Sequence, residues 1–308
     1  MNSNSVIIPK NISQTYLDFH PQSFKITKPI TIGEIKNCLI KNEFQLLRLL
    51  FHSHKFKSEK EQNHIFKELN RYKDVQPYRY NIVTTNGESL SFENYINANF
   101  IINPFKCNSK GRFIATQGPL TKTSEHFWKM ALTHKTKRIV AIVEKDMVGK
   151  SCADYWSHKN KQYGSIQIQS LSLQKNNSYA VRRILVTDLS TGQQSVISHY
   201  HLYFWRDKTA PSDSQKDFFI RFLSGMAMVA MEDEDESTIV HCSAGIGRTC
   251  TFLCAYFLYE LFIDHKQQEK EFQFSVFEIV RLVREQRFGA VNKLTQYQFL
   301  YEIVQNFK

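Results

Sequence analysis

The stretch Thr238-Ile239-Val240-His241-Cys242-Ser243-Ala244-Gly245-Ile246-Gly247-Arg248-Thr249 decides the fold. Three residues with β preference lead into it, and an apolar run of helical length, Thr251 to Phe262, leads out. Strand, tight loop and helix therefore follow one another, with a thiol at the loop's start and a guanidinium at its end. Such a loop points successive backbone N–H groups inward, and the helix behind it adds the positive end of its dipole. It is built to hold an anion. The same field favours the thiolate of Cys242, the form that acts as a nucleophile. Arg248 can close the loop with a planar fork that matches two phosphate oxygens. Gly245 and Gly247 allow backbone angles and approaches that a Cβ would obstruct. Ser243, Ala244 and Ile246 complete the cradle. Two other phosphate loops are excluded: no Lys follows Gly247, and no third Gly completes a dinucleotide fingerprint.

The rest of the chain surrounds this loop with one domain. At 308 residues it can bury a full core, and 42% hydrophobic with 22% charged residues is ordinary for a globular protein. No internal repeat or long Gly/Ser linker divides it. The first 25 or so residues are polar and weakly patterned, so 1–25 is expected to be an arm and 26–308 the folded domain. Apolar residues from Thr31 to Phe51 recur at helical spacing. Beyond Tyr72 the pattern turns to short β-type segments and a helix around Thr123 to His134. Strands are predicted at Arg138–Val143, Tyr163–Leu173, Tyr179–Val186 and Val196–Tyr203, and helices at Gln215–Ala230, Thr249–Phe262, Ser275–Gln286 and Thr295–Asn306. Strands largely joined to one another and flanked by helices predict an α+β domain on a mixed sheet.

Six cysteines without disulfide-framework or zinc-type spacing are read as reduced thiols. The longest apolar runs are too short to span a bilayer, and the N-terminus lacks the succession of a secretion signal. A cytoplasmic protein is expected. The net charge of +11 favours anionic partners. The basic residues are spread through the chain, which argues against dedicated nucleic-acid binding. The acidic run Glu232 to Glu236 is expected to be a solvated loop before the key strand.

The pattern His-Cys-x-x-Gly-x-x-Arg-Thr at His241 to Thr249 resembles the active-site loop of the cysteine-dependent protein tyrosine phosphatases. The resemblance runs from about Lys67 to the C-terminus. It implies a single α+β catalytic domain with a highly twisted mixed sheet flanked by helices, the phosphate loop lying between a strand and a helix. It also implies hydrolysis of phosphotyrosine in proteins through a phosphocysteine intermediate, with no metal or other cofactor. Asn70 to Tyr78 resembles the family's phosphotyrosine-recognition loop. Tyr72 would stack on the substrate ring, and Asp74 would accept hydrogen bonds from the substrate backbone. Asn94 to Asn99 and Phe113 to Leu120 resemble scaffold segments.

Trp205-Arg206-Asp207 is similar to the family's mobile Trp-Pro-Asp loop, with Trp205 as hinge and Asp207 as general acid. Here Arg206 replaces the Pro, which removes a fixed φ and places positive charge beside the acid. Asn292 and Gln296 match the family's two water-positioning glutamines, Asn292 being one methylene shorter. Gly289 would leave the rim of the slot open for longer or doubly phosphorylated peptides. Thr249 would donate a hydrogen bond to the Cys242 thiolate, and His241 would support the loop. Either Glu144 or Asp146 stands where relatives brace the catalytic Arg. Cys250 replaces a Gly and is either a small buried side chain or a second thiol able to trap an oxidised Cys242. Two other functions share these residues: a catalytically weak phosphotyrosine-binding module, motivated by Arg206 and Asn292, and a phosphoinositide or RNA 5′-phosphatase, motivated by the charge. The short, Lys-rich chain with its altered acid loop also resembles phosphatases encoded by polydnaviruses, which act in the host cell cytoplasm.

Overall fold

The computed structural model describes residues 29–50, 64–105, 112–156, 159–228 and 236–308. Nine strands form one mixed sheet: β1 (Ile82–Thr84), β2 (Tyr95–Ile101), β3 (Arg112–Thr116), β4 (Thr136–Ile142), β5 (Asn160–Tyr163), β6 (Ile166–Lys175), β7 (Tyr179–Asp188), β8 (Gln194–Leu202) and β9 (Ser237–His241). Their order is β1-β2-β3-β9-β4-β8-β7-β6-β5. The middle four, β3, β9, β4 and β8, run parallel, and antiparallel strands extend the sheet on both sides. Strand β9 lies between β3 and β4 and is buried along its whole length. Ile239 and Val240, at its middle, supply the apolar side chains of a strand covered on both faces, beside buried Ser237, Thr238 and His241. Its C-terminal end delivers Cys242 at the carboxyl edge of the parallel strands, the edge where open sheets place ligands.

Among the described residues six helices cover the sheet: α1 (Ile40–Leu50), α2 (Ser124–Thr133), α3 (Asp213–Met228), α4 (Arg248–Gln267), α5 (Val276–Gln286) and α6 (Leu294–Val304). One face packs on α2 through Phe127, Trp128 and Met130. The other face carries the larger core, built on α4 with α1, α3, α5 and α6 around it. Every residue of α4 from Arg248 to Tyr259 is buried, as expected of a helix apolar on all sides. The N-terminus of α4 is thereby fixed beneath the loop at Cys242. Ser275 caps α5, its hydroxyl accepting from the Glu278 N–H. Among the described residues no helix is long and apolar enough to cross a membrane.

Three expectations from sequence change. The helical pattern from Thr31 to Phe51 divides into a 3-10 turn at Ile32–Asn37 and α1, because Cys38 is extended (φ −75°, ψ 132°); Phe51 lies outside the described residues. The strand predicted at Tyr163–Leu173 is a hairpin instead. Gly164, at φ 57°, turns the chain between β5 and β6, and a Cβ there would meet the Glu125 carboxylate at 2.0 Å. Of the acidic run, residues 232–235 lie outside the described residues, as does the predicted arm at 1–25. Glu236 is buried and paired with Lys137 at 3.4 Å, so it is no solvated loop residue. It enters the core because the next residue already begins β9.

Helix α1 is fastened to the C-terminal helix by a buried carboxylate. The Glu43 Oε2 accepts hydrogen bonds from the Tyr297 and Tyr301 hydroxyls, each at 2.6 Å. Glu43→Ala leaves two buried hydroxyls without an acceptor, at about 1–3 kcal/mol each. A loss of about 2–6 kcal/mol is expected in urea unfolding, and a loss under about 1 kcal/mol would show that the contact contributes little.

Candidate active site

The loop from Cys242 to Gly247 turns between β9 and α4, and its neighbours fit only because two residues lack a Cβ. Gly245 adopts φ 72°, and a Cβ on it would stand 2.2 Å from the Thr116 carbonyl oxygen. Gly118, on the segment that follows β3, lies so close that its Cβ would be 2.5 Å from the Cys242 carbonyl oxygen. Arg287, fully buried at the end of α5, braces the loop from behind. Its guanidinium donates to the carbonyls of Gly245 (3.2 Å) and Ala244 (3.3 Å) and to the side chains of Asn99 (2.9 Å) and Asn97 (2.7 Å). A fixed positive charge thus stands under the thiol. Val291 donates its N–H to the Ile246 carbonyl at 2.9 Å, joining the segment that carries Asn292 to the same loop.

Cys242 is 3% exposed, and its Sγ accepts the Gly245 N–H at 3.3 Å. It forms the floor of a cavity of about 280 Å³. Tyr72 and Asp74 stand on one wall, with the Tyr72 hydroxyl 2.8 Å from Ser243 Oγ. Asn292, Lys293 and Gln296 line the wall beside α6, and Asp207 and Lys208 come from the loop after β8. A Cβ on Gly247 would lie 2.9 Å from Asn292 Oδ1 and 3.2 Å from Gln296 Nε2. Gly247 is what lets both amides reach the loop. Gly289 stands apart from these walls; its φ of 73° turns the chain toward Val291, and a Cβ there would meet Ile246 Cδ1 at 3.4 Å.

Arg248 is buried and its fork is organised by acids. Nη1 donates to Glu144 Oε2 at 2.5 Å and to the Trp205 carbonyl at 3.1 Å, and Nη2 is 3.1 Å from Asp207 Oδ1. Glu144 also accepts the Asp207 N–H at 2.6 Å, so one carboxylate holds both the arginine and the acid-bearing loop. Burial pushes the Glu144 carboxyl up, but the Arg248 charge and the hydrogen bonds from Arg248 and Asp207 outweigh it, and the group lies below the usual carboxylate range. Of the two candidate braces, Glu144 is therefore the one that reaches Arg248; Asp146 is exposed in a 3-10 turn. Sequence spacing left this open because both lie at the carboxyl end of β4, and only the turn at Lys145–Met147 decides which faces the loop.

Trp205 is buried, with its Nε1 donating to the Thr209 carbonyl at 2.8 Å. That bond and the Thr209 hydroxyl on the Arg206 carbonyl (2.9 Å) close a turn that leaves the Arg206 side chain exposed. The Asp207 side chain is 53% exposed at the cavity mouth. The bond expected from Thr249 to Cys242 is not formed, since Thr249 Oγ1 is buried without a hydrogen-bond partner. Cys250 is wholly buried at the back of the loop, its thiol on the Gly245 carbonyl at 3.8 Å. Burial pushes that thiol up to about 12, which keeps it protonated at neutral pH. Arg248 Nε and Gln296 Oε1 are also buried and unpartnered. An unpaired guanidinium N–H beside Cys242 is a donor available to an anion. Among the described residues, no cluster of three His, Cys, Asp or Glu side chains is placed to hold a metal ion.

His241 is fixed by a relay that the sequence did not reveal. Its Nδ1 is 3.1 Å from the Cys242 carbonyl, an acceptor only, so Nδ1 carries the proton. Nε2 then accepts from the Tyr155 hydroxyl at 2.6 Å, and that hydroxyl accepts from His199 Nε2 at 3.2 Å. Tyr155 lies 86 positions before His241, beyond the reach of any local pattern. Burial holds the rings neutral: His241 is lowered to about 3, His201 to about 4, and His199 lies well below the ordinary value. The unfolded chain binds these protons near pH 6.5 and the folded chain does not, so the stability is full above pH 6.5 and is lost as pH falls toward 4. The slope reaches about 4 kcal/mol per pH unit when all three histidines contribute. Urea midpoints measured from pH 7 to pH 4.5 are expected to fall accordingly; a flat profile would mean that these rings are protonated in the folded state.

The family profile described as Protein-tyrosine phosphatase matches residues 66–306. The chain is 31% identical over 243 residues to Tyrosine-protein phosphatase non-receptor type 20 of Rattus norvegicus, covering 77% of this chain and 54% of that protein. It is 33% identical over 243 residues to Receptor-type tyrosine-protein phosphatase alpha of Homo sapiens, covering 77% of this chain and 29% of the relative. It is 30% identical over 311 residues to Receptor-type tyrosine-protein phosphatase eta of Gallus gallus, covering 96% and 21%. The chain thus spans from about a fifth to about half the length of these relatives.

Proposed function

Since the chain belongs to the protein-tyrosine phosphatase family, we propose that it hydrolyses phosphotyrosine in proteins through a phosphocysteine intermediate. The observation that carries this reading is the cavity floored by Cys242, with the unpartnered Nε of buried Arg248 beside it and Asp207 at its mouth. Its wall at Tyr72 suits a planar ring, which can stack there while its phosphate reaches the floor; a phosphoserine is too short for both contacts.

Asp207 Oδ1 pairs with Nη2 of Arg248 at 3.1 Å. The entering phosphate takes its place, so the carboxyl is released toward the bridging oxygen. The Cys242 thiolate attacks phosphorus in line, the P–O bond to tyrosine breaks, and Asp207 protonates the departing phenolate. Arg248 and the loop amides hold the three equatorial oxygens, electrostatic stabilisation typically amounting to several kcal/mol. Water positioned by Gln296 and Asn292 then attacks the phosphocysteine. Asp207 takes its proton, and phosphate leaves with the thiolate restored. Gln296 is suited to the task because its Oε1 is buried at the cavity without a partner.

Phosphotyrosine-bearing signalling proteins are the partners this reading implies. It places the protein in the cytoplasm, that of an infected host cell where the likeness to polydnavirus enzymes is followed. The test is the ratio of kcat/KM among a phosphotyrosine peptide, the same peptide with phosphoserine, an inositol phospholipid and an RNA 5′-phosphate. Turnover is expected on the first and at least about 100-fold less on the second. Equal or better turnover of the lipid or RNA would overturn the substrate class. Tight phosphotyrosine binding without turnover would make the protein a binding module.

A further inference from the structure

Two lysines, Lys208 and Lys293, line the cavity that Tyr72 and Asp74 also border. Lys208 follows the acid Asp207 directly, and Lys293 precedes the first residue of α6. The two segments are joined: the Thr295 hydroxyl donates to the Lys208 carbonyl at 3.3 Å, and Gln296 Nε2 to the Thr209 carbonyl at 3.5 Å. Both lysines therefore border the same cavity from one side. Among the described residues neither ammonium has an ion-pair or hydrogen-bond partner. The buried cations of the site are committed, Arg248 to Glu144 and Asp207, and Arg287 to loop carbonyls and asparagines. Lys208 also adopts φ 61°, a left-handed conformation unfavourable for a residue with a long side chain. Backbone strain of this kind is retained where the surroundings impose it, commonly at functional sites.

We propose that Lys208 and Lys293 form a second anion subsite that selects phosphotyrosine substrates carrying a further negative group beside the phosphotyrosine. This rests on the phosphatase reading above and adds to it the residues that discriminate among peptides. The chemistry recognised is a carboxylate or a second phosphate close to the scissile one. Two ammonium groups at a cavity mouth with low-dielectric walls attract such a group, and the attraction is screened by salt. Because Lys208 travels with Asp207 on one loop, an anion held there also favours the position in which the acid faces the substrate.

The test uses binding, so that it stands apart from turnover. Affinities for Cys242→Ser are measured by fluorescence anisotropy with phosphotyrosine peptides bearing one Glu in turn on each side of the phosphotyrosine, the Gln counterparts, and versions with phosphoserine in place of Glu. At least one anionic position is expected to bind about five- to tenfold tighter than its neutral counterpart at low salt. That ratio is expected to fall to within twofold in Lys208→Gln/Lys293→Gln, and Lys293→Glu is expected to lower it below 1. A larger gain from phosphoserine than from Glu assigns the subsite to phosphate, the reverse to carboxylate, and either supports the proposal. Equal affinity for neutral and anionic peptides overturns it, as does a preference that survives the double substitution. Absence of all phosphotyrosine-dependent binding and turnover would overturn the phosphatase reading itself, a different result from binding without discrimination.

Discussion

Cys242→Ser is expected to abolish hydrolysis of aryl phosphates, by on the order of 10⁴-fold or more in kcat, while phosphotyrosine binding survives. The reason lies in what the site activates. A thiol yields its conjugate nucleophile far more readily than a hydroxyl does, and the loop amide of Gly245, the buried Arg287 and the N-terminus of α4 surround this sulfur with positive potential. A serine hydroxyl keeps its proton in the same field, because its acidity is lower than a thiol's by many orders of magnitude. The substitution is nearly isosteric, and the walls of the cavity and the fork of Arg248 are untouched. Binding and thermal midpoint are therefore expected to stay close to those of the parent. Steady-state rates on an aryl phosphate decide the matter: a variant within tenfold of the parent would mean that another group attacks phosphorus.

Arg248→Lys is expected to lower kcat/KM by about 10³-fold or more, although the charge is conserved. Arg248 is held in three directions at once, Nη1 to Glu144 and to the Trp205 carbonyl and Nη2 to Asp207, while its buried Nε has no hydrogen-bond partner. A lysine ammonium is a point charge on a flexible stem and cannot span these positions as a planar fork. It would settle on Glu144 and leave the equatorial oxygens short of a donor. The loop carrying Asp207 would also lose its tie through the Trp205 carbonyl, so proton donation should suffer along with phosphate binding. The comparison to make is kcat/KM on one aryl phosphate for Arg248→Lys and for the parent, with circular dichroism to verify the fold. A loss below tenfold would show that charge alone suffices and that the fork geometry is idle.

The two variants differ in what they teach. Cys242→Ser tests the nucleophile and leaves the anion site assembled; Arg248→Lys tests the assembly and leaves the nucleophile in place. A double variant should cost little more than the worse single one, because the two groups act on the same transition state.

Much of this was readable in the chain. The residues from Thr238 to Thr249 declare strand, loop and helix through local propensity, and the structure places them as β9, the loop at Cys242 and α4. Glycine requirements were legible too, since Gly245 needs a positive φ that its neighbours in sequence already imply. Where the reading went astray, a single residue overrode a periodic pattern. Gly164 turned one long strand into a hairpin, and an extended Cys38 broke one long helix in two. Periodicity averages over a window, whereas a turn is decided at one φ. Glu236 looked solvated because its neighbours in sequence are acidic, yet it is buried at the start of β9.

The site itself divides along the same line. By itself the sequence named the candidate reacting groups: a thiol, a guanidinium and a carboxylic acid, each marked by the short motif around it. Only the tertiary structure decided what holds them. Glu144, not Asp146, braces Arg248 and carries the Asp207 amide. Tyr155 reaches His241 Nε2 from 86 positions away, and Arg287 stands under the loop from α5. Lys208 and Lys293 meet across 85 positions at one cavity mouth. The physical reason is range. Backbone preference and a nucleophile's immediate field act over a few residues and leave a local signature. Hydrogen bonds and charges between distant segments depend on packing that brings the segments together, and no window of the chain contains both partners.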